Sequence, residues 1–208
     1  MMPRLLTSLA LSLLLAGCGL LPDKPVTQTG YRLEPVLPRP AASAAASTLT
    51  VQVLEPVASA SYATDQIAYR REPYRIDYYS RSRWAEPPAE MLGDLMARAL
   101  EDAGLFRVVL GPAARLPADL RLHSELTALE HIIRDPSQTQ GSEVRLAMRV
   151  QLVEARSARV LATQTFEIIR PAFSADAPGA VAAANDAVRE ALATIIVFCR
   201  EHIPIRAP

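Results

Sequence analysis

The chain has 208 residues, carries 22 Lys+Arg against 22 Asp+Glu, and is 50% hydrophobic. A nucleic-acid binder would carry a basic excess, so this balance argues against nucleic acid as a partner. A chain of this size buries roughly 70% of its unfolded surface and suits one domain plus a tether, with no need of a disulfide.

The N-terminus reads as a targeting segment. Arg4 is the one charge in the first 17 residues, and Leu5 to Leu15 is Leu-, Ala- and Ser-rich. A spanning helix needs about 20 apolar residues, so this stretch reads as a secretory signal. Leu15-Ala16-Gly17-Cys18 resembles the lipobox of bacterial lipoproteins. That resemblance implies cleavage between Gly17 and Cys18 and acylation of the Cys18 thiol, with palmitate-type chains. One chain anchors only marginally, at about 0.8 kcal/mol per buried CH₂, whereas two or three hold stably. An ordinary signal followed by a chance cysteine is the plainer alternative. Residue 19 is Gly rather than the Asp that commonly retains lipoproteins in the inner membrane. By that resemblance the expected location is the periplasmic face of the outer membrane, with the inner membrane as the alternative.

Residues 18–30 form the lipidated cysteine and a flexible tether with Pro22 and Pro25; twelve residues reach at most about 40 Å. The domain is expected over 31–208. Tyr31 to Val36 suggests a short first strand, Pro38 to Ser47 a loop, and Leu49 to Val53 a strand by alternation. Gln66 to Arg70 and Tyr74 to Tyr79 suggest a hairpin broken at Glu72-Pro73. Pro87-Pro88 opens a helix whose stripe is Met91, Leu92, Leu95, Met96, Ala99 and Leu100, and Gly104 ends it. Phe106 to Leu110 is a strand, followed by a turn at Gly111-Pro112.

Two long alternations follow. Leu120, Leu122, Leu126 and Ala128 form one apolar row, with a phase slip near Leu129 that suggests a bulge. Val144, Leu146, Met148, Val150 and Leu152 form the other, beyond a polar loop at Asp135 to Ser142. After a turn at Ala155 to Ala158 comes a strand over Val160 to Ile169. One apolar and one wet face describe an antiparallel sheet covered on one side. A last helix, Gly179 to His202, supplies cover through Val181, Ala184, Val188, Ala191, Leu192, Ile195 and Cys199. The expected class is α+β: an antiparallel/mixed β-sheet with two helices packed on one face, preceded by a lipoprotein signal and tether. Cys199 reads as a buried small hydrophobe rather than half of an intermolecular disulfide.

No phosphate-binding or nucleophile-elbow motif is present. His123 and His202 read as surface residues, and the neighbours Glu130 and His131 would point to opposite faces of a strand. The chain is therefore read as a non-enzyme with no metal and no cofactor. The segment Tyr62 to Glu86 is unusual: it holds five of the six tyrosines, the one tryptophan and five arginines. Arg and large aromatics are enriched at interface centres and also suit lipid headgroups. The alternative is that the aromatics pack an edge hairpin while the arginines pair with Glu72, Asp77 and Glu86.

Asp65-Gln66-Ile67-Ala68-Tyr69-Arg70, then Tyr78-Tyr79, then Arg83-Trp84-Ala85-Glu86-Pro87, resemble the ABC-type transport auxiliary lipoprotein family. Tyr31-Arg32-Leu33 and Leu49 to Pro56 match its early strands, while the Ala-rich insert at Ala41 to Ser47 departs from it. The resemblance implies a non-enzymatic component of an MCE-type system that moves lipids between two membranes. It would dock the MCE-domain protein at the outer membrane. The expected partner-binding residues are Tyr69, Arg70, Tyr78, Tyr79, Arg83, Trp84 and Glu86, and a homo-oligomer fits the ring-forming habit of MCE proteins. The rival function is a lipid carrier that binds acyl chains between sheet and helices, which requires an apolar pocket of a few hundred Å³ or more.

Overall fold

The computed structural model describes residues 27–37, 47–134 and 141–204. The signal peptide, Gly17, Cys18, most of the tether, most of the Pro/Ala-rich loop and residues 135–140 of the polar loop lie outside the described residues. The elements are β1 (Thr29–Tyr31), β2 (Ser47–Val53), β3 (Val57–Ala58), β4 (Gln66–Arg70), β5 (Asp77–Trp84), α1 (Pro88–Ala103), β6 (Phe106–Leu110), β7 (Leu120–Ile133), β8 (Ser142–Glu154), β9 (Arg159–Pro171) and α2 (Ala177–His202).

The sheet is mixed and is organised around β7. One edge of β7 pairs antiparallel with β8 from Leu120↔Glu154 to Ile133↔Ser142. Its other edge takes three parallel partners in succession: β2 at Leu120–Leu122, β3 at Glu125–Leu126 and β4 at Glu130–Ile132. Beyond these, β6 extends β2, β5 extends β4, β1 extends β5 and β9 extends β8. The parallel pairings are the part that alternation alone does not reveal, because a strand's period of two is the same whichever way its neighbour runs.

Three expectations shift. The first strand is Thr29–Tyr31 and not Tyr31 to Val36. From Arg32 onward the backbone leaves the sheet and bonds to the helices: the Leu33 N–H meets Met91 Sδ and the Glu34 N–H meets Asn185 Oδ1. The hairpin's second strand starts at Asp77 and runs to Trp84, while Tyr74 sits in the turn at φ 66°. The bulge expected near Leu129 falls at Thr127, between the pairs Leu126↔Met148 and Ala128↔Ala147. Thr127 Oγ1 donates to the Ala147 carbonyl at 3.1 Å. The slip moves Ala128 off the leucine row to the opposite face, beside Ala147, and puts Leu129 and His131 on the helix side.

The helices cover the side of the sheet that carries Leu122, Leu126, Leu146, Met148, Val150 and Leu152, all fully buried. Each such side chain contributes roughly 1.5–3 kcal/mol by leaving water. Helix α1 has Pro88 in its first turn and ends at Gly104 in the left-handed region, φ 61°. Asp176 caps α2 by accepting from the Gly179 N–H at 3.0 Å, and Arg200 and His202 lie in its last turn, where positive charge complements the helix dipole. Cys199 is fully buried, and burial pushes its thiol up to about 12, so it behaves as an apolar group. Among the described residues no helix is long and apolar enough to cross a membrane.

The tight cap makes Gly179 a sensitive position. A Cβ there would lie 2.3 Å from the Ser174 carbonyl oxygen, whereas one at Gly111 meets nothing within 4 Å. Gly179→Ala is expected to lower stability by about 1–3 kcal/mol in denaturant unfolding, and Gly111→Ala to leave it nearly unchanged.

Candidate interaction surface

The Arg/aromatic segment divides between the two faces of the β4–β5 hairpin. On the face away from the helices, Glu130 is 4% exposed and gathers three partners. Tyr62 Oη donates to Glu130 Oε2 at 3.0 Å, Arg70 Nη2 lies 3.2 Å from Oε1 and Arg145 Nη1 3.3 Å from Oε1. Arg145 also bridges to Glu167 at 2.7 Å, and its hydrogen bond to Glu167 raises its pKa further. Burial, with the Glu130 charge second, pushes the Tyr62 phenol well up, so it stays a hydrogen-bond donor. Tyr78 Oη donates to the Ser61 carbonyl at 3.1 Å, which closes the 60–62 turn over this face.

On the helix side, Tyr79 Oη lies 2.8 Å from His131 Nδ1. The Tyr69 and Tyr79 rings are 4.8 Å apart, and Arg71 lies over Tyr69 at 5.6 Å. His131 is 1% exposed, and its Nε2 has no hydrogen-bond partner among the described residues. Burial lowers its pKa to about 4, Arg71 lowers it further, and Asp176 works the other way. Burial, then Asp176, pushes Tyr79 up to about 12. Glu130 and His131 therefore do face opposite sides, as strand geometry requires.

The remaining expected residues lie along β5 and just beyond it. Trp84 is 3% exposed and belongs to the core. Arg83 is exposed and pairs with Asp65 at 3.2 Å, and Glu86 is exposed and pairs with Arg32 at 3.4 Å. Of the seven, then, Arg83 and Glu86 are the surface residues; Tyr69, Arg70, Tyr78 and Tyr79 are half-buried in bonded positions. Sequence reading singled out neither Tyr62 nor the Glu130–Arg145 pair. The available signal was the polar pair Glu130-His131 inside the otherwise apolar run from Ala128 to Ile133. His123 and His202 are exposed. Among the described residues no group of three or more His, Cys, Asp or Glu side chains is placed to hold a metal ion.

The fold defines a class: an α+β domain with two helices packed on one face of a mixed sheet. The family model "ABC-type transport auxiliary lipoprotein component" matches residues 31–196, and the chain belongs to that family. It is thus a lipoprotein component of a transport system, in a family not known for enzymes. Among solved structures, protein XCC0632 from Xanthomonas campestris is similar at 23% identity. It covers 84% of this chain and 96% of its own, with a TM-score of 0.72. An uncharacterized protein matches at 13% identity over 83% of this chain and 98% of its own, with a TM-score of 0.64. At these identities the likeness shows the fold alone. No curated protein matches the chain.

Two outcomes test the site. Glu130→Ala leaves Arg70, Arg145 and Tyr62 without their acceptor and is expected to cost about 3–5 kcal/mol in equilibrium unfolding. His131 is held neutral in the fold, so it has no effect above the unfolded pKa of 6.5. As pH falls from 6.5 to about 4, the unfolded chain takes up a proton that the fold refuses, and stability declines. The loss reaches up to about 3 kcal/mol. Denaturant titrations across that window should show a steeper decline for wild type than for His131→Gln.

Proposed function

We propose that the chain is the membrane-anchored, non-enzymatic lipoprotein of an MCE-type lipid transport system. It is cut between Gly17 and Cys18 and acylated on Cys18. It stands at the periplasmic face of the outer membrane and docks the MCE-domain protein there. The observation that carries this reading is the family match over 31–196 together with the lipobox at 15–18. The domain layout follows: signal 1–17, lipidated cysteine and tether 18–30, contact domain 31–208.

The contact face is the outer edge of β5. β1 pairs with Ser82 to Trp84 of it and Gln28 Nε2 donates to the Ser80 carbonyl; among the described residues no strand pairs with the rest of that edge, and Ser80, Arg81 and Arg83 are exposed. A strand edge without a neighbour accepts a partner strand, and the exposed Arg81 selects that partner by charge. A second copy of this chain is the other occupant that fits, as a homo-oligomer. The Glu130 and His131 clusters hold the hairpin rigid behind that edge.

The carrier reading has one observation in its favour. An apolar groove of about 210 Å³ is lined by Leu37, Ala99, Leu192 and Ile196. It lies between the two helices rather than between sheet and helices, and is smaller than the 300–1,000 Å³ typical of ligand pockets.

The test is co-purification in mild detergent. The wild-type protein should carry diacylglycerol-modified Cys18 by mass spectrometry and bring down an MCE-domain protein. Arg81→Glu should lose that partner at unchanged thermal stability. Cys18→Ser should lose the acyl mass. Retention of stoichiometric phospholipid with no MCE-domain protein would favour the carrier. Trp84 is unsuitable as a probe, because truncating a core tryptophan costs about 3–5 kcal/mol by itself.

A further inference from the structure

Strand register fixes the direction in which the tether leaves the domain. β1 runs parallel to β5, with Thr29 beside Ser82, and Gln28 Nε2 donates to the Ser80 carbonyl at 3.0 Å. Going back from Thr29 toward the N-terminus therefore leads along β5 toward Asp77, where the β4–β5 hairpin turns. From Ser82 to Asp77 is roughly 17 Å of strand. The stretch from Cys18 to Thr29 reaches at most about 40 Å. An acylated Cys18 thus lies within reach of the hairpin turn, and the chain exits on that side.

That end of the sheet collects features the fold does not require. Tyr74, in the hairpin turn, is fully exposed and holds a positive φ of 66°, a conformation a tyrosine rarely adopts. β7 and β4 finish at this end, and β9 finishes there too, since Pro171 pairs with Glu143. Phe173 follows β9 and is 77% exposed. Between β4 and β9 lie β7 and β8, so the ends of β4 and β9 stand about 14 Å apart across the rim. Arg70, Arg71 and Arg134 line a cleft of about 390 Å³ at this rim with Glu72, Pro73 and Ile132, and Arg134 also pairs with Glu143. Exposed aromatics at the level of cationic side chains are what the headgroup region of a bilayer accommodates.

We propose that this rim, centred on Tyr74 and Phe173, rests on the phospholipid leaflet that carries the acyl anchor, with Arg71 and Arg134 at headgroup phosphates. The orientation puts the loop before β7, with Leu116, at the far end of the domain, away from the bilayer. This inference rests on acylation of Cys18.

The lipidated full-length protein is reconstituted into vesicles of phosphatidylethanolamine and phosphatidylglycerol with brominated acyl chains. Tyr74→Trp, Phe173→Trp and Leu116→Trp each add one exposed indole, while Trp84 is buried in the core and gives a constant background. Bromine quenches an indole that reaches the acyl boundary. Tryptophan at 74 and at 173 should be quenched at least about twofold more than at 116, consistent with an aromatic at the interface. Equal quenching at all three positions, or stronger quenching at 116, overturns the proposed orientation while leaving the anchor intact. Protein that fails to float with the vesicles overturns the anchor and the orientation together.

Discussion

Strand β7 carries ladder hydrogen bonds on both edges along most of its length, and the other strands are placed by reference to it. β8 runs beside all of it, while β2, β3 and β4 divide its opposite edge. A one-residue slip in a strand exchanges its two faces. The bulge at Thr127 makes that exchange once, on purpose of the fold. Before it, Leu120, Leu122 and Leu126 face the helices; after it, Leu129 and His131 do. The same step turns Glu130 to the far side, where Tyr62, Arg70 and Arg145 converge on it. One extra residue thereby creates both polar clusters that hold the β4–β5 hairpin.

The two clusters differ in what they contribute. Glu130 is a buried carboxylate with its charge matched, so breaking it is far more costly than its net stabilisation. His131 is a neutral ring that packs and shares one hydrogen bond with Tyr79, and its cost appears only as acid charges the unfolded chain. Together they tie the β4–β5 hairpin to β7 from both faces. The outer edge of β5, the proposed contact face, is thus backed by bonded side chains on both faces of the sheet.

Much of this was legible in the sequence, for identifiable reasons. The long alternations of β7 and β8, the Pro88 start and Gly104 stop of α1, and the apolar stripe of α2 through Cys199 are local signals with one dominant solution. Pairing direction was not legible, because Val51 and Val53 alternate in the same way beside a parallel or an antiparallel neighbour. The end of β1 was missed because Tyr31 to Val36 satisfies a strand pattern, yet Leu33 and Glu34 find better partners on Met91 and Asn185, far away in sequence. In the candidate surface, residue type did not disclose depth. Trp84 fills the core and Arg70 serves Glu130, while Arg83 and Glu86 remain outside.

The proposed docking role makes a demand that an enzyme or a carrier would not: the outer hairpin edge must touch another protein in the cell. Site-specific photo-crosslinking at Arg81, with Leu116 as the remote control, reads this directly. The account predicts that the probe at Arg81 traps an MCE-domain protein, identified by mass spectrometry, and that the probe at Leu116 does not. An absence of that adduct at Arg81, or its equal appearance from Leu116, would contradict it.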